Sequence, residues 1–244
     1  MSNAGPRYRW LVLPGLLLAA AVVALLAVDM PVARGLNQLR QDAATNSTAR
    51  LVLSHLRGLG LFEVFGHGLG VLLAALMIYQ LDVSRRWAIP RVLVCAFAAG
   101  VMADLVKMTL MRFRPHGLHF PFAGDVWNTF GDWWPALGVS SDLQSFPSAH
   151  MATAVGLAAA LVWLYPRGRI VFPLLAVLVG FQRIAAGAHY PSDVLVGAAV
   201  GCLVGALLLN VGPLPVWFEK WERRWGAPVR SASCEINTSA RRGT

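Results

Sequence analysis

Residues 182–193 read QRIAAGAHYPSD and place three polar side chains, Arg183, His189 and Asp193, inside a run of almost continuous apolar helix signal. An arginine among leucine, valine and alanine costs about 2.5–3.5 kcal/mol at the centre of a lipid-embedded helix, so it needs a partner or a polar cavity. Pro191 suits the first turn of a helix, where its missing N–H costs nothing. The stretch therefore predicts a turn that carries His189, followed by a helix with Asp193 in its first turn, close enough to hold a ring nitrogen of His189.

The composition of the chain is that of an integral membrane protein. Of its 244 residues, 57% are hydrophobic and 14% are charged, and the mean hydropathy is +0.57. No soluble domain needs so large an apolar share. The net charge of +9 comes from basic residues scattered between apolar runs rather than clustered on one stripe. This distribution predicts no nucleic-acid partner and leaves the membrane bilayer and an anionic substrate.

Six apolar runs are long enough to predict transmembrane helices. They cover approximately residues 10–28, 61–81, 91–111, 148–165, 170–188 and 191–211. The first is too long for the hydrophobic region of a secretory signal, and no small-x-small cleavage pattern follows it. The predicted fold class is therefore all-α, a polytopic membrane protein with six transmembrane helices.

Polar segments flank and interrupt these runs. Residues 1–9 are predicted to be an N-terminal tail, residues 10–211 the six-span domain, and residues 212–244 a basic C-terminal tail that begins as an interfacial helix and ends disordered. Between residues 29 and 60, apolar residues recur at helical spacing among arginines, which predicts one or two amphipathic helices, with a solvated loop as the alternative. The longest polar interval, 112–146, has the aromatic content of a membrane–water interface.

Basic residues are distributed unequally between the two sides of the predicted bundle. Near the span ends on one side lie Arg34, Arg40, Arg50 and Arg57. On the other side lie Arg7, Arg9, Arg85, Arg86, Arg91, Arg167, Arg169, Lys220, Arg223 and Arg224. Because cytoplasmic loops carry the excess of Lys and Arg, both termini are predicted to be cytoplasmic. The end of the third span, the start of the fourth and the junction of the fifth and sixth then face outward.

Three polar clusters fall near these outer span ends. They are Lys107 with Arg114-Pro115, then Pro147-Ser148-Ala149-His150, then Arg183 with His189 and Asp193. Lys107 and Arg114 are two helical turns apart and would share a face if the third helix extended that far. Ser148 precedes an apolar helix as an N-cap residue, and a helix N-terminus readily binds phosphate.

Together the clusters supply three cations, a hydroxyl, a helix N-terminus, two histidines and a carboxylate. Phosphoryl transfer spreads negative charge over the equatorial oxygens, and preorganised cations and N–H donors can stabilise that charge without a metal. A histidine held by a carboxylate can attack phosphorus, and a second histidine can protonate the leaving oxygen. A metal site is the alternative, and it is disfavoured because three cations would repel a divalent ion.

Several of these residues also have structural interpretations. A single Lys107 or Arg183 could be a snorkelling side chain. Asp104 lies one helical turn before Lys107 and is expected to neutralise it. Glu63 and His67 are four residues apart in the second span, hence on one helical face, where structural pairing or interfacial exposure is the favoured interpretation.

The three clusters resemble the signature of the phosphatidic acid phosphatase type 2 / vanadium haloperoxidase superfamily, in its membrane-embedded lipid phosphatase branch. That signature reads Lys, six residues, Arg-Pro; then Pro-Ser-Gly-His; then Ser-Arg, five residues, His, three residues, Asp. Here it stands, with both internal spacings intact, as Lys107 to Arg114-Pro115, Pro147 to His150, and Gln182-Arg183 to His189 to Asp193. Two positions depart from it, since Ala149 replaces the glycine and Gln182 replaces the serine.

The resemblance implies the helical bundle of that superfamily and a mechanism that needs no metal and no cofactor. It implies that His189 is the nucleophile that forms a phosphohistidine and that Asp193 orients it. His150 would be the acid for the leaving group and then the base for water. The residues that would hold the phosphate are Lys107, Arg114, Ser148 and Arg183.

The predicted function is hydrolysis of a phosphate or pyrophosphate monoester of a membrane lipid at the outer leaflet, in a bacterial inner (cytoplasmic) membrane. The substrate would be an amphiphilic lipid phosphate such as phosphatidic acid, a polyprenyl pyrophosphate or lipid A. Two alternatives stay open. The phosphohistidine could pass its phosphate to a second lipid, or the pocket could bind or transport a lipid phosphate without turnover. A haloperoxidase is disfavoured, since those members of the superfamily are soluble.

Overall fold

A computed structural model of the chain describes residues 9–117, 125–133 and 140–226, and most of these residues are helical. The α-helices are α1 (Arg9–Ala27), α2 (Asp29–Asp42), α3 (Ser47–Gly58), α4 (Gly60–Glu63), α5 (Gly68–Leu81), α6 (Ile89–Lys107), α7 (Ala149–Leu164), α8 (Val171–Ala185), α9 (Pro191–Leu209) and α10 (Pro213–Arg224). Two short strands, β1 (Leu110–Arg112) and β2 (Phe130–Trp133), pair antiparallel. Residues 1–8 and 227–244 of the two predicted tails lie outside the described residues.

Three of the predicted apolar helices form almost where the sequence places them. The first, fourth and sixth runs become α1, α7 and α9. Ser148 is the N-cap of α7, because its hydroxyl oxygen accepts the backbone N–H of Met151 at 3.4 Å. Pro191 is the first residue of α9. The start signals predicted for α7 and α9 are therefore confirmed, and both helices end in the predicted region.

The second apolar run is not one continuous helix, and that prediction was wrong. After α4 the chain forms a 3-10 turn over Val64–Gly66 and then begins α5, and the helical segments before and after this break are inclined by 61°. His67 has an extended backbone and caps α5 with a ring nitrogen that accepts the Leu69 N–H at 3.3 Å. Glu63 and His67 therefore do not share a helical face.

Close packing explains why the chain breaks at this point. A Cβ atom added at Gly66 would lie 2.6 Å from the carbonyl oxygen of His150 and 2.8 Å from Val179, so the turn is pressed against α7 and α8. Only a residue without a side chain fits this approach. The break carries Glu63 to the end of the bundle where His150 lies.

The third apolar run ends as a helix at Lys107, earlier than predicted. The chain then extends into β1, whose register pairs Leu110 with Trp133 and Arg112 with Phe130. Lys107 and Arg114 consequently do not lie on one helical face, which corrects the expectation from their spacing. The ribbon of β1 and β2 is also an exception to the all-α prediction. Its extended backbone lets the Arg112 side chain be fully buried while its neighbour Phe113 is exposed.

The segment between residues 29 and 60 forms the two amphipathic helices α2 and α3, so the loop alternative was wrong. The guanidinium of Arg40 on α2 donates to the carbonyl oxygen of Ala185 at 2.9 Å, at the C-terminal end of α8. A cation at this end of a helix satisfies a carbonyl that lacks a helical partner. The α2 helix is thereby fixed to the turn that carries His189.

The C-terminal helix α10 also forms as predicted. Trp217, Trp221 and Trp225 stack along its exposed side, as expected for a helix at a membrane interface. On its inner side, the buried Glu222 carboxylate lies 2.7 Å from the guanidinium of Arg91 on α6. This ion pair fixes α10 to the end of the bundle opposite His189.

Small residues bring the central helices into close contact around α7. A Cβ added at Gly156 would lie 2.7 Å from the Cys95 carbonyl oxygen and 2.9 Å from the Ala99 Cβ on α6. A Cβ added at Gly201 on α9 would lie 2.7 Å from the Ala152 carbonyl oxygen on α7. Close backbone approach of this kind is typical of helix packing in lipid. The buried core is accordingly built around α6, α7 and α9.

Several apolar helices of the described chain fit a membrane. α1, α9 and the segment Val83–Lys107 that ends in α6 are each long and apolar enough to cross a bilayer, and the bent pair Ser47–Gly66 with Gly68–Leu81 would make a fourth. The apolar helices α7 and α8 are shorter, with 16 and 15 residues. Their length of about 22–24 Å is less than the hydrocarbon thickness of about 30 Å. Six spans therefore remain a prediction.

Replacement of Gly156 by alanine tests the packing between α6 and α7. The added methyl group would overlap Cys95 and Ala99, and overpacking of this kind costs about 1–3 kcal/mol. We expect the midpoint of thermal unfolding in detergent, followed by tryptophan fluorescence, to fall by several degrees.

Gly15→Ala is the matched control, because nothing lies within 4 Å of a Cβ added at Gly15 in α1. It should leave the midpoint unchanged or raise it, since alanine favours a helix over glycine by about 0.5–1 kcal/mol. Equal midpoints for the two variants would contradict the packing described for α7.

Candidate active site

One end of the helical bundle collects the three sequence clusters. The C-terminal ends of α6 and α8 and the N-terminal ends of α7 and α9 meet there, because neighbouring helices alternate in direction. The backbone N–H of Ser148 donates to the carbonyl oxygen of Asp193 at 3.1 Å, which joins the second cluster to the third. The convergence predicted for these clusters is present in the structure.

His189 lies in the turn between α8 and α9. The α8 helix ends at Ala185, earlier than predicted, because Gly187 adopts a positive φ of 69° that turns the chain away from the helix axis. The His189 side chain is only 2% exposed. Its ring nitrogen Nδ1 lies 2.6 Å from the carbonyl oxygen of Ser145. Since a carbonyl can only accept, Nδ1 carries the hydrogen and Nε2 keeps its lone pair when the ring is neutral.

Asp193 contacts His189 indirectly. Its Oδ2 atom lies 3.9 Å from Nδ1 of His189, which is too far for a hydrogen bond. The same oxygen accepts the Ser145 hydroxyl at 2.6 Å and the Tyr190 backbone N–H at 2.9 Å. Asp193 therefore holds Ser145 and the backbone next to His189, while the carbonyl of Ser145 holds the imidazole.

Arg112 is the buried partner of Asp193, and sequence reasoning missed it. Its guanidinium donates to Asp193 Oδ1, to Asp29 Oδ2 at 2.7 Å and to the Ser192 hydroxyl at 2.8 Å. Asp29 in turn accepts the backbone N–H and the hydroxyl of Ser192. Arg112, Asp29 and Asp193 are all 0% exposed. A charge pair this deeply buried is stable only when its members are paired and hydrogen-bonded, as they are here.

The second cluster places a helix N-terminus and a histidine beside this network. Ser148 is fully buried, and its hydroxyl caps α7. His150 lies in the first turn of α7, and its side chain is 29% exposed. Ala149 packs against the core around α6 and α7, so the methyl group that replaces a glycine hydrogen in the motif contacts apolar neighbours.

The three predicted cations lie near the histidines and come from different elements. The Lys107 ammonium at the end of α6 lies 3.3 Å from Asp104, which confirms the expected pairing. Arg114 follows β1, and Arg183 lies in the last turn of α8. Within the described part of the chain, the buried Nε atoms of Arg114 and Arg183 have no hydrogen-bond partner. Buried donors without a partner are costly, so an anion bound between them would satisfy both.

The charges of these cations act on both imidazoles. Lys107 and Arg183 interact electrostatically with His150 and with His189. Arg114 interacts with Lys107, Arg183 and His189. The seven residues predicted for the site therefore lie in one region of the fold, although their positions in the chain extend from 107 to 193.

Glu63 is a second residue that the sequence did not assign to the site. Its Oε1 atom accepts a hydrogen bond from Arg183 and lies 3.6 Å from Nε2 of His150. Its Oε2 atom accepts the side-chain amide of Gln182 at 3.0 Å. Gln182, the residue that replaces the serine of the motif, thus holds Glu63 beside Arg183. The signal in the sequence was an acidic residue within an apolar run, but the break that carries it here was not predicted.

His67 also lies near the site and has a structural contact. The His67 ring caps α5, and its centroid lies 5.8 Å from that of His150. Among residues 9–117, 125–133 and 140–226, no group of three or more His, Cys, Asp or Glu side chains is arranged to hold a metal ion.

The family comparison matches the region that builds this site. The model of the PAP2 superfamily matches residues 88–215, which include all three motif clusters and helices α6 to α9. The crystal structure of Aquifex aeolicus LpxE is similar in fold, with a TM-score of 0.50 and 21% sequence identity, over 76% of this chain and 96% of that one.

Three curated relatives are similar over part of the chain. The lipid A 1-phosphatase of Rhizobium johnstonii is 38% identical over 107 residues, covering 42% of this chain and 39% of the relative. The decaprenylphosphoryl-5-phosphoribose phosphatase of Mycobacterium tuberculosis is 40% identical over 124 residues, covering 48% and 57%. The undecaprenyl-diphosphatase BcrC of Bacillus subtilis is 39% identical over 118 residues, covering 48% and 54%. The chain spans about half the length of the curated relatives it matches.

Removal of the Arg112 charge tests the buried network. In Arg112→Met, the carboxylates of Asp29 and Asp193 would stay buried without their shared cation, and a broken buried pair costs about 3–5 kcal/mol. We expect a large fall in the midpoint of thermal unfolding, measured in one detergent.

The control is Arg85→Met, which removes an arginine that is 43% exposed and paired with Asp82. An exposed pair of this kind contributes about 0–1 kcal/mol, so this variant should unfold close to the wild type. Adding Asp29→Asn to Arg112→Met should cost less than the sum of the two single changes, because one uncompensated charge is removed. Additive losses would show that the two residues are not coupled.

Proposed function

Because the chain belongs to the PAP2 superfamily, we propose that it is a membrane lipid phosphatase, which transfers a phosphoryl group from an amphiphilic lipid to His189 and then to water. The observation that carries the proposal is a buried imidazole with one nitrogen held by a carbonyl and with three cations near enough to interact with it electrostatically. The charge of the cations suits a phosphate, and the imidazole suits attack on phosphorus.

The first step forms the phosphohistidine. Nε2 of His189 attacks phosphorus with its lone pair while the bond from phosphorus to the lipid oxygen breaks. His150 gives its proton to that oxygen, so the lipid leaves as an alcohol, or as a phosphate if the substrate is a pyrophosphate. Lys107, Arg114 and Arg183 neutralise the charge that develops on the equatorial oxygens, and the Ser148 hydroxyl is placed to donate to one of them.

The second step regenerates the enzyme. His150, now neutral, takes a proton from a water molecule whose oxygen attacks phosphorus. The bond between phosphorus and Nε2 of His189 breaks, inorganic phosphate leaves, and His150 again carries its proton. This exchange of roles between the two steps follows from microscopic reversibility. Every group used belongs to the chain, the substrate or water, so the proposed mechanism requires no metal and no cofactor.

Asp193 contributes through its neighbours. By accepting from Ser145 and from the backbone of Tyr190, it fixes the carbonyl that holds the imidazole. Its negative charge also favours the positive charge that the ring gains when Nε2 bonds to phosphorus. Arg112 keeps Asp193 in place. We therefore propose that Asp193 orients His189 by way of Ser145.

A lipid phosphate is the substrate class that the surroundings of the site favour. The names of the three relatives all denote phosphatases of lipid-linked phosphates. An almost entirely apolar cavity of about 460 Å³ lies between α1, α9 and the ribbon, and its lining includes Phe146 and Ser192, next to the active-site network. A second apolar cavity of about 460 Å³ lies between α5, α7 and α8. Hydrocarbon chains would fit such surfaces while the phosphate stays among the cations.

The site is proposed to face the outside of a bacterial inner membrane. It lies at the end of the bundle where α6 and α8 end and where α7 and α9 begin, opposite the basic segments around Arg85 and Arg167 and opposite α10. An excess of basic residues marks the cytoplasmic side. The proposal includes six spans, in which the short helices α7 and α8 cross with the help of locally thinner lipid or of the flanking turns.

The activity is tested on purified protein with a panel of lipid phosphates in the presence of EDTA. We expect release of free phosphate, inhibition by vanadate, which mimics pentavalent phosphorus, and trapping of a labelled phosphoenzyme. His189→Ala should abolish the label and lower kcat by at least about 10⁴-fold, since the nucleophile is lost.

His55→Ala is the control, since His55 is exposed on α3 and its ring nitrogen is hydrogen-bonded to the backbone carbonyl of Leu51 in the same helix. It should retain wild-type turnover.

Transfer of the label to a second lipid without free phosphate would identify a phosphotransferase. Lipid binding that survives His189→Ala, with no turnover by the wild type, would identify a binding protein, and a strict requirement for Mg²⁺ would refute the mechanism.

The pH dependence of phosphoenzyme formation tests the state of His189. Burial lowers the pKa of the His189 imidazole well below its ordinary value, and the charges of Arg183 and Lys107 lower it further. Only the neutral imidazole attacks. Because the pKa of His189 lies below the ordinary histidine value of about 6.5, most of the enzyme stays reactive at pH 6.5 and loses reactivity only under more acid conditions. In single-turnover measurements across pH 5–8, the rate of phosphoenzyme formation should fall on the acid side with a midpoint below pH 6.5. A midpoint at or above pH 6.5 would indicate that the His189 imidazole is not buried among cations.

A further inference from the structure

The residues around His150 affect whether it carries the proton that the proposed first step requires. To act as an acid, His150 must carry a proton, and hence a positive charge, before the substrate reacts. Lys107 and Arg183 both repel that charge. Burial of the ring, together with the cations placed for phosphate binding, therefore opposes the protonated state that the first step needs.

Glu63 is the acidic group that offsets part of the effect of these cations at His150. The charged and titratable groups that interact with His150 are Arg183 on α8, Lys107 on α6, His67 at the start of α5 and Glu63 at the end of α4. Of these, only the Glu63 carboxylate attracts the protonated imidazole. Its Oε1 atom lies 3.6 Å from Nε2 of His150.

Three contacts fix the position of this carboxylate. Arg183 donates to Oε1, Gln182 donates to Oε2 at 3.0 Å, and the turn that follows Glu63 is pressed against the His150 carbonyl at Gly66. The Glu63 side chain is 35% exposed, so it borders the open part of the site rather than the closed core. A surface carboxylate without these contacts would move freely and would be hydrogen-bonded to water.

We propose that Glu63 is the positioning residue that favours the protonated form of His150 for its role as the acid of the leaving group. The inference rests on the proposed phosphatase function and assigns Glu63 a part in its first step. Glu63 remains a carboxylate throughout. The proton that reaches the lipid oxygen comes from Nε2 of His150, and the proton that restores His150 comes from the attacking water.

The distance between the two residues suits this role. At 3.6 Å the carboxylate attracts the imidazolium as a charge, but it does not form a good hydrogen bond with it. The N–H of His150 therefore stays available to an oxygen of the substrate. A direct short hydrogen bond would hold the proton on His150 and compete with transfer.

The same geometry suggests a competing role for Glu63. Because Oε1 contacts both Arg183 and His150, it could simply occupy the position of a phosphate oxygen and have to leave when the substrate binds. The two roles predict opposite results for Glu63→Gln. Loss of an occupying anion would tighten the binding of phosphate, whereas loss of a charge that supports an acid would slow only reactions that need the acid.

The experiment compares two substrates with Glu63→Gln. The first is a lipid phosphate turned over by the wild type, whose alkoxide leaving group needs a proton. The second is p-nitrophenyl phosphate, whose leaving group needs little protonation. We expect kcat to fall about 10²-fold or more for the lipid and less than about 10-fold for the aryl ester. The alkaline limb of kcat for the lipid should move to lower pH, because protonated His150 is less favoured without the carboxylate.

Matched variants separate this effect from a general defect. His150→Ala should show the same dependence on the leaving group, Arg183→Ala should impair both substrates, and Glu63→Asp should restore part of the alkaline limb. Asp42→Asn, which removes an exposed carboxylate of α2, should behave as the wild type. In Glu63→Gln, the contact with Gln182 can be kept. If the new side chain presents its NH₂ group, the amide of Gln182 can flip, so that its buried Oε1 atom, which has no partner among the described residues, accepts the hydrogen bond. Its unfolding midpoint should stay within a few degrees.

The experiment distinguishes a failure of the inference about Glu63 from a failure of the proposed phosphatase function. If the wild type hydrolyses neither substrate, the proposed function fails. If the wild type is active and Glu63→Gln slows both substrates equally, or changes only KM, Glu63 serves to hold Arg183 and the inference is overturned. Tighter inhibition by vanadate with unchanged kcat would likewise overturn it in favour of the occupying carboxylate.

Discussion

The ion pair of Arg112 with Asp193 is the interaction on which the rest of the site depends. Arg112 has no exposed surface, and neither do the two carboxylates it binds. Without this pairing the burial of any one of these charges would cost several kcal/mol. The network joins the start of α2, the ribbon and the start of α9, and through Ser145 it reaches the imidazole of His189. The imidazole of His189 is therefore positioned by a chain of contacts that begins at Asp29.

The site balances two opposing requirements of charge. In the proposed function a phosphate lies among several cations, and the burial of His189 and these cations favour its neutral form. The same cations disfavour a protonated His150. Each imidazole has one carboxylate nearby: Glu63 lies 3.6 Å from Nε2 of His150, and Asp193 lies 3.9 Å from Nδ1 of His189 but is paired with Arg112. The proposed difference in task between the two histidines therefore depends on which ring nitrogen faces its carboxylate and on how that carboxylate is paired.

Sequence reasoning succeeded where the signal was local. The apolar runs of α1, α7 and α9, the Ser148 cap and the proline that begins α9 each follow from a few neighbouring residues, and the structure confirms them. It failed where a distant contact overrides the local preference. The apolar run after residue 60 breaks because Gly66 must fit against His150, and α6 ends at Lys107, after which the chain extends into β1 and buries Arg112 between Asp29 and Asp193. No feature within either run encodes these partners.

The sequence by itself determined which polar residues collect at one end of the bundle, because the spacing of polar residues in apolar helices fixes the ends at which they lie. Only the tertiary structure decided that a carbonyl of Ser145, rather than Asp193, holds His189 directly, and that Arg112 and Glu63 join the site. The physical reason is that these contacts link residues 44 to 120 positions apart, and electrostatic partners at such separations are set by how the helices pack.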